Sequence, residues 1–303
     1  MSRRAMCAWA LVIVLAPQVV AQVAIGHWRD HFPYRRAMAV VEGGGKVYCA
    51  TNNAVFSFDP QDHGMERMTK VNVLSDVNIR SIGWSADLGA LLVGYSNGNL
   101  DMVRNGRADN LGDIKRSSLM GDKGIYNIVC RDGQAYLCCG FGIVQMDLQR
   151  REVRDTWMIG PNASQVQVND LVFHGDSIYA ATAKGLFSAW RGNPNLAAFT
   201  SWRKRMDIPR PNGPFTAAVS FNGRLMVNFR LSNDQQRDTV FYWDGAWQRF
   251  GSVYDNRNLS LKVSQDGHRL MVTHLNTFHE FDEGLSQTMF ADRVGGVSWP
   301  RAW

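Results

Sequence analysis

Seven side chains of this sequence are suited to holding an anion: Tyr34, Arg35, Arg36, Lys123, Tyr126, Arg210 and Arg257. Guanidinium and ammonium groups that converge on one point bind carboxylate or phosphate through charge-assisted hydrogen bonds. A tyrosine ring beside them offers a face on which a sugar stacks. The seven fall in the segments PYRRAM, MGDKGIYN, IPRPNGPF and YDNRNLS, and VNVLSDVN and NASQVQVND are the equivalent segments elsewhere in the chain. The same charges also suit loops that are simply solvated.

Groupings that do covalent chemistry are missing. There is no H-E-x-x-H and no G-x-S-x-G nucleophile elbow. His274 and His279 flank a turn, but no third ligand stands beside them, so they read as ordinary strand residues rather than a metal site. His27 and His31 read as packing around Trp28. Asp76, Asp170, Asp176, Asp266 and Asp282 fall where turns are expected, and Asp stabilises turns by accepting from nearby backbone amides. A glycosidase-like pair would need its two carboxyl groups roughly 5 to 10 Å apart across a cleft. Of the five cysteines, Cys7 lies in the leader described below. Cys49, Cys130, Cys138 and Cys139 show no C-x-x-C spacing, which argues against zinc. Export permits disulfides, yet the turn register sets no two cysteines opposite each other, so buried free thiols are expected. The expectation is a protein that is not an enzyme and needs no cofactor or metal.

The elements that must carry the basic loops emerge from an internal repeat. Six segments share one pattern: VVEGGGKVYCAT, IGWSADLGALLVGY, IVCRDGQAYLCC, LVFHGDSIYAAT, AVSFNGRLMVNF and KVSQDGHRLMVTH. Each is an apolar run, a Gly-containing turn and a second apolar run. Gly, Asn and Asp tolerate the positive φ that tight hairpin turns require. A landmark in the second run falls at Tyr48, Leu92, Tyr136, Tyr179, Met226 and Met271, at spacings of 44, 44, 43, 47 and 45. A short third run follows each pair (VFSFD, LDMVR, IVQMDL, LFSAW, VFYWD, FHEFD). A mixed polar and apolar fourth segment follows that (MERMT, RADNL, REVRDTWMI, FTSWRK, AWQRF, LSQTMF), as an edge strand requires. Four strands at a period near 44 predict an all-β fold, a β-propeller of four-stranded blades.

The stretch GFGIVQMDL, Gly140 to Leu148, falls into place on this reading. It resembles a phosphate-cradling loop, but no helical period follows it, and its glycine recurs at equivalent points of other units. It is a turn between second and third strands. Trp84, Trp190, Trp243 and Trp247 lie on strands and are expected to fill the spaces between blades.

Length, composition and the N-terminus complete the outline. The 303 residues, 45% hydrophobic and 20% charged, suit one large folded domain with no linker. MSRRAMCAWALVIVLAPQVVA carries two arginines, an apolar run too short to span a membrane, and small residues at Val19 and Ala21. It reads as a secretory signal peptide over residues 1–21, leaving a propeller domain over residues 22–303. Loss of Arg3 and Arg4 lowers the formal charge from +6 to +4. So small a surplus does not point to nucleic acid. GHWRDHF, Gly26 to Phe32, resembles the fourth strands of later blades. It fits an outer strand of a seventh blade whose inner strands are not in this sequence, or a strand laid along the edge of a ring of six. The first reading, a longer natural chain, is favoured.

WRDHFPY, KVYCATNNAVFSFDP, MTKVNVLSDVNIRSIGW, DIKR and GFGIVQMDL together resemble the N-terminal propeller of the PorZ family, over Gly26 to Asp292. That family belongs to the type IX secretion system of Gram-negative bacteria. The resemblance implies a surface-exposed scaffold that supports secretion and cargo attachment. It implies as partners an anionic lipopolysaccharide and attachment-complex proteins like PorU, PorV and PorQ. It also implies a cell-surface or outer-membrane-associated location after export, with the periplasm as alternative. The family's second propeller and sorting domain are not in this sequence. Two other readings stand beside it: a periplasmic sensor propeller of a two-component regulator, and a hydrolase or lyase acting on polysaccharide.

Overall fold

The structure is a computed structural model that describes residues 37–231, 238–253, 257–274 and 277–292. It is an all-β propeller of six blades, each an antiparallel four-stranded sheet with its strands in chain order. The innermost strands are Ala39–Gly43, Ile79–Ser85, Ile125–Arg131, Val168–His174, Phe215–Phe221 and Asn258–Val263. All six line one axial channel.

The repeat predicts these blades because each of its parts has a local physical cause. In the first hairpin Gly44 and Gly45 have φ of +60° and +77°, and Asp132–Gly133 and Asn222–Gly223 also pair two positive φ values. Such turns match the right-handed twist of the strands they join. Beyond the hairpin, the outermost strands turn polar and exposed. Met65, Glu66 and Arg67 are exposed in Met65–Thr69, where only one edge of the strand is hydrogen-bonded.

Each blade has two apolar faces and buries them against its neighbours. Ala50, Val55, Leu91 and Val93 join blades one and two. Leu92, Met102, Ile128 and Leu137 join two and three. Cys138, Trp157, Leu171 and Phe187 join three and four. Leu186, Phe215, Val227 and Phe229 join four and five. Phe221, Phe250, Leu261 and Phe281 join five and six. Among the described residues no equivalent buried cluster joins blade six to blade one.

Several expectations meet corrections. Trp84 stacks on Tyr48 at 5.5 Å between blades one and two, and Trp243 meets Trp247 at 5.5 Å, but Trp190 is 59% exposed and fills no gap. Trp190 ends its strand (Gly185–Trp190), and the fourth strand of that blade is only Arg203–Lys204, paired with Phe187 and Ser188. A 3-10 turn at Phe199–Ser201 takes up the start of the expected fourth segment. DIKR is a single helical turn, Asp113–Arg116, carried on a connecting loop. Asp76 and Asp170 are buried rather than turn residues at the surface, and Asp170 lies within a strand. The leader, GHWRDHF with His27, Trp28 and His31, and the residues after Asp292 lie outside the described residues. Among the described residues no helix is long and apolar enough to cross a membrane.

Candidate functional site

The strongest candidate site lies where the innermost strands begin. In blades two to six the pairing of first and second strands skips one residue near this end. The skipped residues are Arg80, Tyr126, Asn169, Thr216 and Leu259. A β-bulge leaves one residue outside the ladder and re-aims its side chain. All five line one polar cavity of about 150 Å³ at the mouth of the axial channel, together with Met38 of blade one. The rim is thus one residue per blade: cationic, aromatic and polar from Arg80 to Thr216, and apolar at Leu259 and Met38.

Arg80 and Tyr126 form its most ordered part. The Arg80 guanidinium carbon lies 3.7 Å from the centre of the Tyr126 ring. The Tyr126 hydroxyl donates to Asp122 Oδ2 at 2.5 Å, and Asp122 Oδ1 accepts from the Gly124 amide at 2.8 Å. Burial and the neighbouring Asp122 push the Tyr126 hydroxyl up to about 12, so it remains a phenol and a donor. The guanidinium thus lies over the ring, and its several N–H donors suit a carboxylate or phosphate. Among the described residues no carboxylate forms an ion pair with Arg80. A polar cleft of about 450 Å³ continues from Arg80 and Tyr126 over Asn52, Asn78 and Ser96, and Asn52 Nδ2 donates to Asn78 Oδ1 at 3.1 Å.

Just below the rim sit Asp170 and Lys262. Asp170 Oδ1 accepts from Asn127 Nδ2 at 2.5 Å and from the Leu171 amide at 2.8 Å, and Oδ2 accepts from the Ala218 amide at 3.0 Å. One carboxylate therefore ties blades three, four and five at the axis. Burial raises its pKa, and this outweighs the opposing pull of the Lys262 charge and the three hydrogen bonds. Lys262 lines both the mouth and the channel beneath.

A second polar network holds the loop beside the mouth. Asp76, from LSDVN, accepts from Lys115 Nζ of DIKR at 2.7 Å and from Asn97 Nδ2 at 2.8 Å, and its Oδ1 accepts from the Val77 amide at 3.0 Å. Two segments that stood apart as sequence motifs thus meet in one ion pair. Burial raises the Asp76 pKa, but the hydrogen bonds from Lys115, Asn97 and Val77 and the Lys115 charge hold it down at about 2. The folded value lies below the unfolded one. Asp76 therefore contributes stability above the unfolded pKa, and that contribution disappears as pH falls through about 4 to 2. It amounts to about 2 kcal/mol. Urea denaturation of the native chain and of Asp76→Asn across that interval should show the native chain losing this margin and the two converging.

Of the sequence-predicted residues that are described, the structure brings only Tyr126 to the mouth. Lys123 donates to the carbonyls of Lys115 and Ser117 and closes the end of the DIKR turn. Arg210 has a φ of +58° and lies over the Phe229 ring at 5.4 Å. Arg257 is exposed just before the innermost strand of blade six. Tyr34, Arg35 and Arg36 lie outside the described residues. Arg80 and Lys262 were missed because they read as strand interior, and Asn169, inside the loop segment NASQVQVND, because that segment carries no basic residue. The signal that finds Arg80 and Asn169 is their recurrence at the second position of successive innermost strands, whereas Lys262 stands fifth in its own.

Thr277 Oγ1 lies 3.0 Å from His274 Nδ1 and 3.2 Å from His279 Nε2. Burial and the neighbouring His279 push His274 down to about 4. Among the described residues no three His, Cys, Asp or Glu side chains gather in a way that holds a metal ion. Cys49, Cys130, Cys138 and Cys139 are free thiols. Burial pushes Cys49 up to about 11, and burial with the Asp87 charge pushes Cys130 up to about 12. Neither supplies a thiolate nucleophile near neutral pH.

Comparison with known proteins places this architecture. PorZ of Porphyromonas gingivalis, described as an essential bacterial surface component of its type-IX secretion system, superposes with a TM-score of 0.68 at 22% identity. The match covers 84% of this chain and 32% of that one, so this chain spans about a third of that protein's length. The extracellular domain of the putative hybrid two component system BT4673 of B. thetaiotaomicron superposes with a TM-score of 0.63 at 15% identity, over 87% of this chain and 37% of that one. The β-propeller domain of Cps50 (Swd1) from Myceliophteria thermophila gives 0.59 at 12% identity, over 85% and 86%. At these identities the likeness is one of fold. No curated protein matches the sequence. The family model described as TSS9, PorZ, N-terminal beta-propeller domain matches residues 47–203, over half of the 303, and the chain belongs to that family.

Proposed function

We propose that this propeller is a non-enzymatic scaffold of type IX secretion at the bacterial surface, and that its axial mouth engages the anionic groups of a lipopolysaccharide. Membership of the PorZ propeller family supports the setting. The observation that carries the site is the Arg80 guanidinium, stacked on Tyr126 with no carboxylate partner, at the centre of a rim built by bulges. The amide cleft of Asn52 and Asn78 supplies donors and acceptors for the neutral hydroxyls of a glycan. Proteins like PorU, PorV and PorQ would then meet other surfaces of the blades. The mouth and its surroundings present ladder strands, fixed hydrogen-bonded carboxylates and phenolic tyrosines, a composition for holding rather than for proton transfer.

The test is titration of the mature chain with anionic lipopolysaccharide and with a neutral counterpart. Arg80→Ala should weaken anionic binding about tenfold or more, since hydrogen bonds to charged groups contribute about 1.5–3 kcal/mol. Equal affinity for the two glycans, or an unchanged affinity in Arg80→Ala, would overturn the reading. The likeness to the BT4673 extracellular domain favours a second reading, a ligand-sensing propeller. A small soluble anion that binds at the same mouth more tightly than the lipopolysaccharide would favour that reading instead.

A further inference from the structure

We infer that the far half of the axial channel, away from the rim, is a binding site for a single-chain amphiphile ending in a carboxylate, a long-chain fatty acid in chemical class. Below Lys262 the channel opens into a cavity of about 570 Å³. Its walls are apolar for most of their area: Val40, Ile82, Ile128, Leu171, Val219 and Val263 come from the innermost strands. It also runs outward between blades six and one to Met271 and Val47. A volume of a few hundred Å³ with apolar walls and few polar groups is the usual form of a small-molecule site.

The polar group that orients a ligand is Lys262. Its side chain is half-buried at the junction of cavity and mouth. Among the described residues it forms no hydrogen bond and no ion pair. The nearby carboxylate that feels its charge, Asp170, already accepts three hydrogen bonds. A half-buried ammonium without a hydrogen-bonded partner is costly, and an incoming carboxylate supplies what it lacks. The apolar walls then take the chain. This site does not rest on the glycan reading, because neither Arg80 nor Tyr126 lines the cavity.

The test uses the mature chain and 11-(dansylamino)undecanoate below its micellar concentration, read by dansyl emission and displaced by laurate or by dodecanol. Laurate should displace the probe at least tenfold more effectively than dodecanol. Lys262→Met should remove that preference, and Lys262→Arg should retain it. Met271→Trp, which narrows the cavity without touching the mouth, should weaken both ligands, while Lys184→Ala, at an exposed turn of blade four, leaves both unchanged. Far-ultraviolet circular dichroism identifies any variant that fails to fold, and the comparison of laurate with dodecanol in the native chain needs no variant. No probe emission at micromolar protein, equal displacement by laurate and dodecanol, or a preference that survives in folded Lys262→Met would overturn the assignment.

Discussion

Asp170→Ala is expected to destabilise the propeller by about 3–5 kcal/mol, the cost of removing one member of a buried charged network. The substitution strips the acceptor from Asn127 Nδ2 and from the amides of Leu171 and Ala218. Three donors from three blades are then left facing one another at the axis, near the Lys262 charge. Asp170→Asn should cost less, about 1–3 kcal/mol, because one oxygen remains and a single buried donor goes unsatisfied. The two variants also separate by pH. The Asp170 pKa is raised in the fold, so ionisation works against the folded state as pH rises. The native chain should therefore gain on Asp170→Asn as pH falls. Equilibrium denaturation at two pH values measures both effects, and a native-like stability in Asp170→Ala would show that the axis is held by apolar packing alone.

Gly142→Ala should cost about 3 kcal/mol, although alanine adds a single carbon. A Cβ at Gly142 would stand 2.3 Å from the backbone carbonyl oxygen of Trp157. That oxygen belongs to the neighbouring fourth strand, where Ile143 pairs with Trp157, so the strand itself would have to move. Gly133→Ala is the matched control. It meets no atom within 4 Å and carries only its φ of +70°, so about 1–2 kcal/mol is expected. Thermal denaturation of both variants distinguishes backbone collision from simple left-handed strain. Equal losses would mean that Gly142 is chosen for its dihedral and not for the closeness of the neighbouring strand.

The blades were legible in the sequence because their causes are local. A hairpin turn announces itself through Asp132–Gly133 or Asn222–Gly223, and two-residue alternation continues on either side. GFGIVQMDL could be assigned to a turn for the same reason. The mouth was legible only in part. Tyr126 was found because it closes a loop-like segment, MGDKGIYN, whereas VNVLSDVN stops two residues short of Arg80. A bulge is decided by how a strand meets its partner, and nothing in NIRSIGW alone shows that Arg80 will be left out of the pairing. Lys262 is hidden by a similar cause. Within NLSLKV it looks like a solvated strand residue, and only the closing of six strands around an axis brings it indoors. Trp190 misled in the other direction, since its exposure follows from a truncated fourth strand that FTSWRK does not reveal.

The five skipped residues have an evolutionary consequence. Each projects from a position whose backbone lies outside the regular ladder, so strand pairing does not dictate its side chain. Asn169 Nδ2 nevertheless donates to the Phe215 carbonyl at 2.7 Å and Thr216 Oγ1 accepts from Asn228 Nδ2 at 2.7 Å, so an exchange at either alters the sheets as well as the opening. A lineage of such rings can therefore vary its opening more freely at the apolar spoke, Leu259, than at Asn169 and Thr216, where a change calls for compensation in the neighbouring strands.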